Sequence, residues 1–293
     1  MNRLLAILAG WIACLPPRAA RRLGLGAGWV FGSVVRYHRR DALAALQRSF
    51  PEKSADEIRG LVRRMYAQLG LNGVELCRLG TMSAAELETA VIMEGWDHLK
   101  AAMARGRGAI ILTAHLGNWD MLCTLAPRWG YPLTIITKNL RNQRLNRFWM
   151  QARERFGLRF VPARHSFRAC LTALRKNEIV GFVLDQNMID REGIFVEFFG
   201  RPACTTPGLA YLAAQSGAPV VPAFMVRDAD GRHRGRILAL LEPPPDREPG
   251  TIRAATQQYT RIIETAVREH PDQWIWLHRR WKTQPPPEAV SAL

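Results

Sequence analysis

Apolar positions along the chain fall into two regimes. Over residues 41–48 and 54–80 they recur every three or four positions, the period of a helix that buries one face. Ser54-Ala-Asp-Glu57 has the form of a capping box at the start of the second stretch, and residues 83–87 begin another short helix. From residue 109 the pattern changes to short β-branched runs alternating with helical stretches. Strands are expected at 109–114, 133–137, 159–161 and 179–184, with helices at 121–129, 145–156 and 167–176. Further on, 207–216 reads as a helix, 220–226 and 236–241 as strands, and 251–269 as a long amphipathic helix. Such alternation predicts an α/β fold, with a central, largely parallel or mixed sheet flanked by helices. No internal repeat and no long Pro/Gly/Ser linker divides the chain, so residues 36–293 read as a single domain.

Residues 1–35 form a separate apolar segment. Two stretches, 4–15 and 23–35, are each shorter than the roughly 20 residues a spanning helix needs. Arg18, Arg21, Arg22, Arg36, Arg39 and Arg40 flank them, which predicts an interfacial or re-entrant helical hairpin with arginines at the headgroups. A cleaved signal peptide is disfavoured, because no small-x-small site precedes the second stretch. The net charge of +16 rests mostly on arginine and suits anionic partners such as phospholipid, phosphorylated glycolipid or an acidic carrier protein. No zinc-ligand spacing, aromatic RNA-binding signature or helix-turn-helix supports nucleic acid. Cys14, Cys77, Cys123, Cys170 and Cys204 are scattered and odd in number, as expected of reduced cysteines in a cytoplasmic compartment. No metal site is expected.

Chemistry concentrates at residues 108–120, Gly-Ala-Ile-Ile-Leu-Thr-Ala-His-Leu-Gly-Asn-Trp-Asp. His115 ends a buried strand, Gly117 and Asn118 supply a turn and an N-cap, and Asp120 falls in the first turn of the next helix. That geometry turns the Asp120 carboxylate toward the imidazole, making His115 a candidate general base. The competing reading is a satisfied strand-end histidine, with Asp120 complementing the helix dipole. Backbone amides around Gly117 and Asn118 are candidate oxyanion donors. Lys138, Arg141, Asn142 and Asn146 follow a strand end and either grip phosphate or open a polar helix. Arg168 is either a substrate contact or a helix-surface arginine. Asp185-Gln186 leaves a buried strand, where polar residues line a cleft or satisfy loop amides. No Gly-x-Ser-x-Gly elbow supports a serine hydrolase.

The block from Arg105 to Asp120 resembles that of the late acyltransferases of lipid A biosynthesis, the lauroyl and myristoyl transferases, whose signature is His-x4-Asp/Glu. Ser49-Phe-Pro51, Val183-Leu-Asp-Gln186, Val196-Glu-Phe-Phe-Gly200 with Thr205-Thr206, and Gln273-Trp-Ile-Trp-Leu-His-Arg-Arg-Trp-Lys282 resemble further blocks of that family, in its order. The stretch around Lys138 and Asn142 departs from the family's usual Asn-Pro pattern. The resemblance spans roughly residues 36–282. It implies a glycerol-phosphate-acyltransferase-like fold, an N-terminal membrane anchor in the inner membrane and a catalytic domain facing the cytoplasm. It further implies acyl transfer from acyl carrier protein (or coenzyme A) to a hydroxyl of a lipid A precursor, with the thioester as co-substrate and no other cofactor. His115 and Asp120 would form the dyad, and Arg168 would occupy a basic family position. Phe198, Phe199, Thr205 and Thr206 either shape an acyl channel or belong to the core. A lysophospholipid, an aminoacyl lipid or a glycosylated phosphoinositide is the alternative acceptor, and a catalytically silent basic membrane-binding protein is the alternative class.

Overall fold

The computed structural model describes residues 3–79, 81–137, 142–154, 156–163 and 166–286. Two helices, α1 (Arg3–Cys14) and α2 (Pro17–Trp29), lead through a π-helical turn (Val30–Val35) into α3 (Arg39–Ser49) and the long α4 (Ala55–Leu79). The capping box is present. Ser54 Oγ accepts from the Glu57 amide, and Glu57 accepts from the Ser54 amide at 2.8 Å, satisfying two donors that a helix start leaves open. One face of α4, including Ile58, Leu61, Val62 and Met65, is buried. After α5 (Ala84–Ala90), β1 (Val91–Glu94) and α6 (Trp96–Met103) come β2 (Ala109–Thr113), α7 (Trp119–Arg128), β3 (Leu133–Thr137), α8 (Gln143–Glu154), β4 (Arg159–Pro162), α9 (Ser166–Arg175) and β5 (Ile179–Val183). The remainder is a hairpin, β6 (Ile194–Phe198) and β7 (Arg201–Thr205), followed by α10 (Gly208–Ser216), β8 (Val220–Arg227), β9 (His233–Ile237) and α11 (Pro249–Glu269).

The main sheet has the order β1-β9-β8-β2-β5-β3-β4. Every neighbouring pair is parallel except β8 with β9, so the mixed, mostly parallel sheet expected from the alternation is found. Its central strands are buried on both faces. Ile110 and Leu112 join a core built with α4, α9, α10 and α11, while Ala109 and Val221 face a second core under α6 and α7. Burial on both sides is why these strands read as unbroken apolar runs.

Five elements differ from the sequence reading. β9 runs over His233–Ile237, not 236–241. Its alternating His-Arg-Gly-Arg-Ile pattern places Arg234 and Arg236 on the wetter face beside Glu94 and Glu269, and Leu241 instead pairs singly with Val220. The β1–α6 unit and the β6–β7 hairpin carry too few apolar alternations to stand out. The hairpin turns at Phe199 and Gly200, both with positive φ.

The amino-terminal helices lie on α4 through small residues. Ala20, Gly24, Gly28 and Gly32 recur at every fourth position and are buried. A Cβ on Gly28 would come within 2.3 Å of the Tyr66 carbonyl oxygen, and one on Gly70 within 2.1 Å of the Gly24 oxygen. Only glycine permits so close an approach. The opposite side exposes Trp11, Trp29, Val34 and Val35. Among the described residues, no helix is long and apolar enough to cross a membrane.

Candidate active site

β2 and β5 pair in register, with Thr113 opposite Val183, so His115 and Asp185, each two residues beyond its strand, emerge side by side. Asp185 Oδ1 lies 2.8 Å from His115 Nδ1, and Oδ2 accepts from the His115 amide at 2.8 Å and from Trp274 Nε1 at 2.7 Å. Burial opposes ionisation of this carboxyl. The His115 charge and these donors nevertheless hold it at about 2. A carboxylate on Nδ1 assigns the proton to that nitrogen and leaves the lone pair on Nε2. Burial alone would lower the His115 pKa, but the charge and hydrogen bond of Asp185, with Asp120 behind, raise it above 6.5 against the opposition of Arg153. The side-chain amide of Gln186 stands 3.4 Å from Nε2, and the Trp119 ring meets the imidazole edge-on at 5.3 Å.

This arrangement corrects the expected pairing of His115 with Asp120. Asp120 is in the first turn of α7 as expected, but its carboxylate is ion-paired with Arg153 of α8. Arg153 is buried and lies 3.8 Å over the Trp149 ring. A guanidinium in that position requires a counter-ion, and Asp120 supplies it, while Asp185 occupies the Nδ1 side of the imidazole.

The turn between His115 and α7 is fixed by backbone chemistry. Gly117 has φ of +58°, and a Cβ there would come 1.8 Å from the Met225 carbonyl oxygen. Its amide donates to the Gln273 carbonyl at 3.0 Å and its carbonyl accepts from Asn72 Nδ2 at 2.6 Å. The Gly117 amide is therefore engaged within the protein and is not an oxyanion donor, contrary to expectation. Asn118 caps α7, accepting from the Met121 amide at 3.0 Å, and donates to Glu75 at 2.7 Å. Glu75 in turn receives Arg227 through both terminal nitrogens, at 2.5 and 2.6 Å, with His233 at 3.2 Å. Burial opposes ionisation of Glu75, yet His233 and Arg227 hold it at about 2. The sequence gives no local sign of this cluster, because its members come from α4, the turn, β8 and β9.

The other expected site residues are more dispersed. Lys138 and Arg141 lie outside the described residues. Asn142 is exposed at the entry to α8, where its carbonyl accepts from the Asn146 amide at 2.9 Å. Arg168 is exposed in the first turn of α9, and among the described residues no hydrogen bond joins it to His115 or Asp185. Phe198 and Phe199 belong to the core with Trp274 and Trp276.

A small apolar cavity lies between the sheet and α6–α7. Thr113, Val183 and Cys123 line its end nearest His115, and Ile179, Leu133 and Trp129 its other end. The Trp96 and Trp129 rings meet there at 3.9 Å, nearly perpendicular. Burial pushes the Cys123 thiol up to about 12, which makes it lining and not a nucleophile.

An oriented imidazole at the carboxyl edge of a parallel sheet, beside a hydrocarbon-lined cavity, suits a transferase that handles lipid chains. The chain belongs to the bacterial lipid A biosynthesis acyltransferase family, whose model matches residues 3–283. It is an acyltransferase, and its acceptor is a lipid. Among similar proteins, the lipid A biosynthesis palmitoleoyltransferase of Escherichia coli is 28% identical over 84% of this chain and 80% of its own. A phosphatidylinositol mannoside acyltransferase of Mycobacterium tuberculosis is 31% identical over 71% of this chain and 66% of its own. The crystal structure of the 1-acyl-sn-glycerophosphate (LPA) acyltransferase PlsC from Thermotoga maritima overlays with a TM-score of 0.39 and 13% identity, covering 85% of this chain and 97% of that one.

Proposed function

We propose that the protein transfers a fatty acyl chain from an acyl thioester, carried by acyl carrier protein, to a hydroxyl of a lipid A precursor at the cytoplasmic face of the inner membrane. His115 is the general base and Asp185 its partner. The observation that carries this reading is the His115–Asp185 pair at 2.8 Å, with Nε2 directed away from the carboxylate. The acceptor hydroxyl gives its proton to Nε2 as its oxygen attacks the thioester carbonyl. The tetrahedral intermediate then expels the thiolate, and the imidazolium returns the proton to it. Help of this kind contributes about 10²- to 10⁴-fold; positioning supplies much of the rest. A thioester is already activated, so no protein nucleophile is required.

In this reading the acyl tail enters at the apolar cavity, which widens between the sheet and α6–α7 to take it, since each buried methylene contributes about 0.8 kcal/mol. The exposed tryptophans of α1 and α2, with Arg18, Arg21 and Arg22 nearby, rest in the interface of an anionic leaflet. A lipid A acceptor follows the first of the similar proteins named above, and the mannosylated phosphoinositide of the other is the competing acceptor. A silent binding protein would have no use for a buried carboxylate holding an imidazole in one tautomer.

The test is transfer from a radiolabelled acyl thioester with His115→Ala. Turnover falling by at least a hundredfold is expected, and undiminished turnover removes the general base. Mass spectrometry of lipids from a strain lacking the protein identifies the acceptor. Lipid A missing one acyl chain supports this reading, and intact lipid A with an altered phosphoinositide glycolipid overturns it.

A further inference from the structure

The segment after α11 places two residues behind the candidate dyad. Residues 273–275 run alongside 115–117: Gly117 donates to the Gln273 carbonyl at 3.0 Å, Ile275 donates to the His115 carbonyl at 3.2 Å, and Leu116 pairs with Trp274. The Trp274 indole, buried against Trp276 and Phe198, is thereby aimed at Asp185 Oδ2, 2.7 Å away. Six residues later, Arg280 is 1% exposed. Its guanidinium donates to the Gln186 carbonyl at 3.2 Å, the Cys204 carbonyl at 2.8 Å and the Thr205 hydroxyl. Its Nε atom has no partner among the described residues, and no ion pair within 4.0 Å joins it to a described carboxylate. A buried cation without a bonded counter-ion is expensive. The acid it interacts with across the core is Asp185, which stabilises its charge.

We infer that Trp274 and Arg280 are positioning residues that keep the Asp185 carboxylate ionised and aimed at the imidazole while limiting how strongly it attracts a proton onto His115. This rests on the general-base reading above. The charges facing the imidazole are Asp185 from the end of β5, Asp120 from α7 and Arg153 from α8, with Arg280 behind Asp185. With His115 neutral, the two acids and two guanidiniums balance. Protonating His115 leaves one excess positive charge in the core, and Arg280 makes that less favourable. Removing the Arg280 charge, or the indole donor that disperses the charge of Asp185, leaves a stronger attraction for the proton. His115 is then protonated at higher pH and unable to act as base there.

The test is the pH profile of kcat/KM for thioester transfer by the full chain. Trp274→Phe and Arg280→Met are each expected to move the acid limb upward by about half a unit to one unit, the scale of a lost hydrogen bond or charge. Arg280→Lys keeps the cation and is expected to leave the limb within about 0.3 units of wild type, whatever it does to kcat. A limb that stays put in Trp274→Phe, or one that moves equally in Arg280→Met and Arg280→Lys, overturns the inference; Trp274→Phe decides the matter if Arg280→Met does not fold. If His115→Ala keeps full turnover, the general-base reading itself fails. If His115→Ala is inactive and the limb is unmoved, only the positioning role is lost.

Discussion

Asp120 and Asp185 show how a carboxylate is assigned by what it can reach. Both stood out in the sequence, one by its spacing from His115 and the other by leaving a buried strand, but the spacing suggested the wrong partner. The pairing depends on β2 and β5 being neighbours in register, which no local pattern encodes. Arg153 was hidden for a similar reason, since within an amphipathic helix nothing distinguishes a buried arginine from an exposed one. Asp120 and Arg153 are expected to behave as a unit. Asp120→Asn or Arg153→Gln alone leaves a buried charge unpaired and is expected to cost about 3–5 kcal/mol of stability. The double variant should be clearly less destabilised than the sum of the two. Thermal unfolding of the four proteins in the cycle measures that coupling, and additive effects would contradict the pairing.

Among the elements, the strongly periodic stretches were legible. β3 matches its expected range and β5, α9 and α11 lie within one or two residues of theirs, because apolar faces of helices and doubly buried strands leave clear periods. The short β1, the β6–β7 hairpin and the polar edge of β9 were not, since their burial is decided by elements distant in sequence. The cavity was also invisible, being formed by alternate residues of several strands under two helices. Gly181 lies on its floor, and a Cβ there would touch the side chains of Ile135 and Leu133 at 3.4 Å. The methyls of Gly181→Val are expected to shorten the space for the tail and shift preference toward shorter acyl donors, by roughly fourfold in kcat/KM for each methylene excluded. A series of thioesters of increasing chain length measures it, and an unchanged preference would place the tail elsewhere.

At the scale of the whole molecule, the amino-terminal helices and the carboxyl-terminal segment hold the site from two sides. The glycine stripe fastens α2 to α4, α4 carries Asn72 and Glu75 to the Gly117 turn, and residues 273–280 close behind Asp185. The helices of the two apolar stretches were legible in the sequence, whereas their attachment to α4 required the fold. Replacing Trp11 and Trp29 together by serine is expected to weaken binding to phosphatidylglycerol-containing vesicles at least tenfold, given about 1.5–3 kcal/mol for burying a large apolar side chain. Vesicle co-sedimentation measures this, and unchanged binding would remove these helices from the membrane contact. In the proposed reaction, acyl transfer depends on Asp185 holding the His115 imidazole in place, and turnover of Asp185→Asn measures that dependence. Asparagine preserves the shape but not the charge, so kcat of the folded variant is expected to fall by about 10²- to 10⁴-fold. Turnover within tenfold of wild type, with transfer abolished only by Asp120→Asn, would contradict it.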